Sequence, residues 1–419
     1  MDTWFSSWLW PISVFDGFYD QEEIDYYYPT NDLVTAPEIM FFWVARMIIA
    51  GYEYRGEKPF KNVYYTGIVR DKQGRKMSKS LGNSPDPIEL MQKYGADGVR
   101  VGMLFSSPAG NDLLFDEGLC EQGRNFSNKI WNALRLVKSW NPEEKEQPES
   151  SKLAIEWMDS RISQVLGELE DHYSKFRISD VLMTAYKFTW NDFCSWYLEA
   201  VKPAYGERMD IVTREAVINH FESVAKILHP LMPFITEELW HALRDRKSPE
   251  AALTISSWPK ANQENADLLN GFNKATNVIT AVRNVRKENN LPNKEALSLH
   301  VRDGKGDTIP FESLIKKLCN VSEIVKTDDL PGQAFKFVQE GNEFAIPFGG
   351  MVDASAQAEK IKEELEYTKG FLKSVQKKLA NERFVNNAPE QVVANERKKE
   401  ADAEAKISAL EEQLNSFNQ

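Results

Sequence analysis

Residues 62 to 80 read Asn-Val-Tyr-Tyr-Thr-Gly-Ile-Val-Arg-Asp-Lys-Gln-Gly-Arg-Lys-Met-Ser-Lys-Ser, an apolar run followed by a turn and a basic loop. The run Tyr64 to Val69 predicts a strand, and Gln73 and Gly74 predict the turn after it. Ligands bind beyond the carboxyl ends of strands in parallel α/β sheets, so the loop Lys76 to Ser80 lies where a ligand would bind. Two flexible ammonium groups and two hydroxyls on a short loop can surround a triphosphate. A solvated basic loop is the alternative for the pentamer taken alone.

The segments around this loop indicate parallel α/β units over residues 1–112. The short apolar run Asp32 to Thr35 precedes a helical pattern from Glu38 to Ile49, which the strand described above follows. After the loop, Asp86 to Glu89 provide an N-cap acceptor, a proline at N1 and an acid at N3, and this helix is expected to end at Gly95. The predicted fold class is therefore α/β followed by mostly α, beginning with a partial Rossmann-like half.

The rest of the chain is predicted to be mainly helical. Residues 113–262 have apolar residues at helical period in nearly every segment, which predicts a helical bundle. Residues 263–353 are expected to form a small mixed α/β subdomain, with one helix before several short strand patterns. Residues 354–419 carry two apolar stripes with alternating spacings of three and four, which predict an antiparallel coiled-coil hairpin. The strand patterns are Leu297 to Val301, Glu323 to Val325 and Phe344 to Ile346, and the stripes include Leu365, Thr368, Leu372, Val375, Val393, Ala403, Ile407 and Leu410.

Composition limits the classes of function. A net charge of -12 over 419 residues disfavours long-range attraction of a polyanion, but basic residues cluster within 70–79, 283–287 and 360–378, so local positive surfaces can coexist with it. The start of the chain has no signal-peptide pattern, and no apolar run is long enough for a bilayer, so a cytoplasmic protein without a membrane partner is expected. Three separated cysteines without metal-ligand spacing predict buried thiols and no bound metal.

The sequence Lys76-Met77-Ser78-Lys79-Ser80 resembles the K-M-S-K-S signature of class I aminoacyl-tRNA synthetases. Other strings narrow the resemblance, which covers essentially the whole chain, to the valyl enzymes. These strings are Asp2 to Ser7, Phe41 to Met47, Arg124 to Ala133 and Phe188 to Glu199. The segment His229 to Glu238 is similar to several related synthetases and indicates the class rather than the amino acid. The resemblance implies a ligase that joins valine to its tRNA through an ATP-dependent valyl-adenylate, with ATP bound as its Mg²⁺ complex.

The resemblance also implies roles for individual side chains within residues 1–112. Lys76 and Lys79 would stabilise charge on the phosphates as the carboxylate of valine attacks the α-phosphate, within an ATP-binding loop that includes Met77, Ser78 and Ser80. Glu38 would contact the ribose of the adenylate, although an acid that complements a helix N-terminus is an equally good interpretation. The valine pocket would be formed by Trp4, Ile39 and Trp43, for which ordinary core packing is the alternative.

Three groups of residues are implied in tRNA binding. One is on a helix of the bundle that would face the anticodon loop, whose exposed bases can be stacked and hydrogen-bonded singly. Gly118 stands there where a longer side chain is expected. The second group, around Arg283, either contacts phosphates or forms a solvated helix face, and the third is on one face of the terminal hairpin. The first group is Arg124, Lys129, Asn132 and Leu136. The second is represented by Arg283, and the third is Lys369, Lys373 and Arg383.

None of the five histidines forms the H-x-G-H pair of class I synthetases, and the chain begins at the segment that follows their editing domain. We therefore expect a fragment that is inactive by itself, is a monomer and can still contact tRNA. A free-standing tRNA-binding or assembly module is the alternative. A partial sheet leaves an edge uncovered, so the aromatic first ten residues are expected to lack their packing partner and to be disordered, refolded or in contact with another molecule.

Overall fold

The computed structural model describes residues 2–15, 21–107, 111–248, 251–302, 311–339, 341–347 and 354–381, with separate positions between 393 and 414. The side chains of Lys79, of residues 354–361 and of Glu364 lie outside this description. The chain is mostly helical with small sheets, and it forms two compact units, Met1–Ala266 and Asp267–Gln419. No helix in the described ranges is long and apolar enough to cross a membrane.

The first unit begins with helices around parallel strand pairs. Strands β1 (Thr30–Thr35) and β2 (Phe60–Tyr65) pair in parallel, with Val34 opposite Tyr64, and β3 (Val69–Arg70) pairs in parallel with β4 (Leu113–Leu114). The helices here are α1 (Thr3–Trp8), α2 (Trp10–Ser13), α3 (Gln21–Tyr27), α4 (Ala45–Arg55), α5 (Pro87–Tyr94) and α6 (Ala96–Phe105). Helix α5 begins as predicted, with Asp86 accepting from the Ile88 amide, and ends at Gly95.

The helix predicted from Glu38 to Ile49 is not regular. Pro37–Ile39 form a 3₁₀ turn and Met40–Val44 a π turn, and the α-helix begins only at Ala45. Pro37 at the start lacks an amide hydrogen, which is tolerated only in the first turn of a helix. Turns of the π kind are frequent at functional sites.

Aromatic side chains of this region remain on the surface. Trp4 is 53%, Trp10 59% and Phe41 72% exposed. Val44, Met47 and Phe60 form a small buried cluster, against which Leu33, Trp43, Ile48 and Val63 pack. Of the three tryptophans in the first ten residues, Trp4 and Trp10 are thus more than half exposed and Trp8 is half-buried, although this segment is helical. The exposed rings forgo the free energy that their burial would provide.

A helical bundle completes the first unit. Its helices are α7 (Glu117–Ser139), α8 (Glu149–Ser174), α9 (Ile178–Lys187), α10 (Leu198–Val201), α11 (Ile211–Leu228) and α12 (Pro233–Leu243), with a π segment at Phe188–Tyr197 and the short pair β5 (Pro142–Glu143) and β6 (Met209–Asp210). Within its core, His220 bonds the Tyr197 hydroxyl at 2.7 Å and Asp159 Oδ1 at 2.8 Å. Asp97 of α6 accepts from the Ile235 amide at 2.7 Å, so it caps α12.

The second unit contains a four-stranded sheet, and the expected strands are present. Helix α13 (Ala266–Glu288) precedes β7 (Leu297–Arg302), and α14 (Glu312–Cys319) precedes β8 (Val321–Lys326), β9 (Ala334–Gln339) and β10 (Asn342–Pro347). The strand order is β8-β7-β10-β9, with β7 and β8 parallel and β10 antiparallel to both of its neighbours. Along β7, Leu297, Leu299 and Val301 are buried in alternation, as one covered face requires.

Helix α15 (Ala354–Leu379) packs against the residues that return after it. Leu365 and Leu410 share a buried cluster, which Ile407 and Leu414 join. Lys369 pairs with Glu411 at 2.8 Å and Lys378 with Glu396 at 3.8 Å, so the two runs point in opposite directions. Glu396 interrupts the apolar stripe and is buried, and its hydrogen bond to Lys399 lowers the pKa of its carboxyl.

Candidate functional site

The basic loop after β3 is built around one buried carboxylate. Asp71 is 7% exposed and accepts hydrogen bonds from the amides of Gln73 at 3.0 Å and Arg75 at 2.8 Å. The Arg75 guanidinium and the Asn83 side chain donate to its second oxygen, at 2.8 and 2.9 Å. These bonds, with that from Asn83 the largest influence, lower the pKa of Asp71 to about 2. Asp71 therefore remains ionised and fixes the turn from which the loop departs.

Asn83 closes the other side of the loop. Its Oδ1 accepts from the Ser78 amide at 2.9 Å, while its Nδ2 donates to Asp71 Oδ2. One side chain thus joins the base of the loop to its tip. Neither Asp71 nor Asn83 is among the site residues predicted from the sequence. The available signal was a short polar side chain on each side of the loop, since Asp and Asn often bond nearby main-chain groups.

Two predicted residues from different segments meet at the loop. Lys76 Nζ lies 3.3 Å from Glu38 Oε1, although the two residues are 38 positions apart. Both side chains are more than half exposed, at 62% and 53%. An exposed ion pair contributes about 0.2–1 kcal/mol, so an incoming phosphate can displace Glu38 at small cost. Ser78 and Ser80 lie together, with their hydroxyl oxygens 3.2 Å apart, and Met77 is half-buried beside them.

The three residues predicted for a valine pocket differ in burial. Trp43 is half-buried, packs against the cluster of Val44 and Met47, and donates its indole Nε1 hydrogen to the Ser7 carbonyl at 3.0 Å. Trp4 is exposed and stacks under the Arg46 guanidinium, 3.9 Å from its ring centroid. Ile39, in the 3₁₀ turn, is 39% exposed. Core packing thus accounts for Trp43, whereas Trp4 and Ile39 remain accessible.

Helix α7 presents its predicted tRNA-binding residues on two faces. At about 100° per residue, Lys129, Asn132 and Leu136 fall within a sector of roughly 60°, and Arg124 points roughly 110° from its centre. Lys129 Nζ lies 5.3 Å from the Trp190 ring centroid, beside the exposed Asn132. Arg124 instead pairs with Glu121 at 3.0 Å and lies 5.7 Å from the Tyr94 ring.

The predicted residues of the second unit differ in their surroundings. Arg283 is exposed on α13 and donates to the Leu318 carbonyl at 3.3 Å. Lys369 and Lys373 lie one turn apart on α15, and the bond to Glu411 raises the pKa of Lys369. Arg383 lies outside the described residues.

Three family models match successive parts of the chain. Residues 1–116 match the class I tRNA synthetases (I, L, M and V), residues 156–301 match the anticodon-binding domain of tRNA ligase, and residues 353–418 match the valyl tRNA synthetase tRNA binding arm. The chain is also similar to solved synthetase structures. One is the LeuRS of Agrobacterium radiobacter K84 in a ternary complex with tRNA and LeuAMS, at 18% identity and a TM-score of 0.47 over 64% of this chain and 33% of that one.

Curated relatives match from end to end. The valine–tRNA ligase of Christiangramia forsetii is 58% identical over 100% of this chain and 48% of its own length. The valine–tRNA ligase of Parabacteroides distasonis is 51% identical over 99% of this chain and 47% of its own. The chain thus spans about half the length of the curated relatives it matches. By family it belongs to the class I valyl-tRNA synthetases, and it corresponds to a C-terminal portion of them.

Proposed function

We propose that this chain supplies the phosphate-binding loop and the tRNA-binding surfaces of a valine–tRNA ligase and is inactive without the remainder of the catalytic fold. In that reaction the carboxylate of valine attacks the α-phosphate of ATP, pyrophosphate leaves, and a hydroxyl of the tRNA then takes the valyl group from the adenylate. The supporting observation is the loop itself, held at both ends by Asp71 and Asn83 with Lys76 exposed above it.

Lys76 and Lys79 are assigned to the phosphates of ATP, together with Met77, Ser78 and Ser80. A triphosphate with its Mg²⁺ supplies the leaving group, and the two ammonium groups stabilise charge that develops on the phosphate oxygens. Glu38 holds Lys76 until the phosphates arrive and is then available to the ribose. Trp4, Ile39 and Trp43 are assigned to the valine pocket.

The four predicted divisions of the chain fit this role. Residues 1–112 are assigned to the Rossmann-like catalytic fold and 113–262 to the anticodon-binding bundle. Residues 263–353 are a small α/β subdomain, and 354–419 a coiled-coil arm that contacts tRNA. The tRNA for valine is the expected partner, recognised through Lys129, Asn132 and Leu136, with Arg124, Arg283, Lys369, Lys373 and Arg383 as further contacts. A monomeric, cytoplasmic enzyme is the expected setting.

Catalysis is tested by ATP–pyrophosphate exchange with valine. The chain alone should give no exchange, whereas the chain fused to the preceding half of the Christiangramia forsetii enzyme should give it. In the fusion, Lys76→Ala should lower the rate about 10²- to 10³-fold, the usual cost of one lost transition-state charge contact. Lys72→Ala is the matched control, because Lys72 is equally exposed and pairs with Asp116 at 2.9 Å. Robust exchange by the chain alone, or equal losses in both variants, contradicts the proposal.

Binding is tested with a tRNA transcript in increasing KCl. The chain should bind with strong salt dependence, and removal of residues 354–419 should weaken binding substantially. Lys129→Gln should weaken it as well, while Lys152→Gln, an exposed lysine on α8, should not. Binding that is unchanged by the truncation counts against the arm.

A further inference from the structure

The guanidinium group of Arg46 lies among three aromatic rings of the first unit. Its Cζ is 3.9 Å from the ring centroid of Trp4, 5.1 Å from that of Trp8 and 6.0 Å from that of Phe42. Trp4 and Phe42 also meet edge to face, with their ring centroids 6.2 Å apart and their planes at 78°. A guanidinium within about 6 Å of a ring centroid is attracted to the face of the ring, and tryptophan is the best partner, so the short contact with Trp4 is the strongest of the three.

These contacts join two segments that are distant in sequence. Trp4 belongs to α1, whereas Phe42 lies in the π turn and Arg46 in the first turn of α4. The hydrogen bond from Trp43 Nε1 to the Ser7 carbonyl joins the same segments at a second point. The relative positions of Trp4 and Trp43, which are both assigned to the valine pocket, therefore depend on these contacts.

Apolar burial contributes little to the position of the Trp4 ring. None of the six residues of α1 is buried, and 53% of Trp4 is exposed. A ring with that much surface in water gains little of the hydrophobic free energy that fixes a core side chain. The planar guanidinium of Arg46 stacks on one face of the indole, which the compact ammonium of a lysine would not do. This stack is therefore the main restraint on a ring that otherwise faces solvent.

We propose that Arg46 is a positioning residue of the valine pocket, which holds the Trp4 ring as the wall against which the side chain of valine packs. The inference rests on the proposed function and adds a residue that acts on the amino acid through Trp4, without contacting it. The effect is confined to the amino acid. Asp71 and Asn83, which fix the phosphate-binding loop, bond within that loop and not to α1 or α4.

The size of the effect follows from the strength of the contact. A stack at an exposed site corresponds to about 0.5–1 kcal/mol, and every 1.4 kcal/mol is a factor of ten. Removal of the guanidinium should therefore raise KM for valine roughly two- to fivefold. The KM for ATP and the rate at saturating valine should stay the same, because the chemical step and the phosphate contacts do not use Arg46.

The test uses ATP–pyrophosphate exchange by the complete enzyme, formed by fusing the chain to the preceding half of the Christiangramia forsetii enzyme. Arg46→Leu and Arg46→Gln are measured in parallel, so that the proposal is still tested if one of them does not fold. Arg55→Leu is the matched control. Arg55 is the last residue of α4, lies 5.7 Å from the Tyr28 ring and pairs with Asp25 at 3.5 Å, about 13 Å along the helix from Arg46. It should leave KM for valine unchanged.

A double-mutant cycle shows whether Arg46 acts through Trp4. Trp4→Leu should raise KM for valine by itself, because the wall of the pocket is lost. In the Trp4→Leu background, Arg46→Leu should have no further effect on that KM, since the ring that it positions is absent. A direct contact of Arg46 with valine would instead add its full loss in both backgrounds and would overturn the positioning role.

The outcomes separate this inference from the proposed function. A parent fusion without valine-dependent exchange refutes the proposed function itself. A parent that is active, with Arg46 variants whose KM for valine equals that of Arg55→Leu, refutes the role of Arg46 alone. Equal increases in KM for valine and for ATP also refute it, because they indicate a general loss of structure and not a displaced pocket wall.

Discussion

The substitution Gly123→Ala tests how closely α7 is held against α6. A Cβ at Gly123 would lie 2.5 Å from the Gly98 carbonyl oxygen and 2.9 Å from Val101 Cβ. Neither atom can swing aside, because one is main chain and the other belongs to a side chain with 0% exposure. Gly102, on the same face of α6, likewise meets Cys120 of α7. Alanine must therefore push the two helices apart.

Gly123→Ala changes the free energy of unfolding through two opposing contributions. Alanine improves helix propensity by about 0.5–1 kcal/mol over glycine. Overpacking a filled interface costs about 1–3 kcal/mol, and the contacts at Gly123 place it near the upper end. We expect a net loss of about 2 kcal/mol in the free energy of unfolding of the first unit. Gly167 in α8 is the matched control, because a Cβ there meets nothing within 4 Å. Gly167→Ala should stabilise by about 0.5–1 kcal/mol.

The assay is urea unfolding followed by far-ultraviolet circular dichroism and tryptophan fluorescence. The two variants should move the transition of the first unit in opposite directions, since only one of the added methyl groups meets a neighbour. A midpoint for Gly123→Ala at or above that of the parent would refute the close packing of α6 and α7. Because α7 also carries Lys129, a displaced helix should weaken tRNA binding at temperatures where the variant is still folded.

Other perturbations concern the basic loop and the buried Arg286. The pKa of Asp71 is lowered from 3.8 to about 2, so its ionised form stabilises the loop above about pH 4, and this stabilisation is lost as the pH falls toward 2. Asp71→Asn should remove that part of the acid dependence of the urea midpoint, and an unchanged profile would contradict it. Asn83→Ala should speed trypsin cleavage after Arg75, because the loop loses its tie to Ser78; equal cleavage rates would show that the tie is unimportant. Arg286 is buried and donates to the carbonyl oxygens of Pro292, Glu295, Cys319 and Asn320. Arg286→Leu leaves these oxygens without that donor, at about 1–3 kcal/mol for each buried group, so the second unit should unfold at lower urea. An unaltered midpoint would show that these bonds do not stabilise the unit.

Local patterns predicted much of the fold and of the loop. The helix capped by Asp86 and the alternating burial of β7 follow from spacing along the chain. The single strand predicted over Tyr64 to Val69 is wrong, because β2 ends at Tyr65 and the two-residue β3, Val69–Arg70, pairs with a different strand. The irregular turns at Pro37–Val44 did not follow, because apolar periodicity does not distinguish α from π winding over a few residues. Asp71 and Asn83 were missed for a related reason. Their bonds exist only after the loop closes and brings together residues 12 positions apart.

The cations of α13 show that helical spacing along the sequence does not predict which side chains are buried. In sequence, Arg283, Arg286 and Lys287 form one basic cluster for which a solvated helix face is a sufficient explanation. In the structure, Arg283 and Lys287 are exposed, while Arg286 is buried beneath the ends of two segments that follow it. Helical period gives the direction of each side chain but not what covers it. Burial of Arg286 and exposure of its neighbours therefore give residues of one five-residue stretch different surroundings, and only contacts with later segments decide which is which.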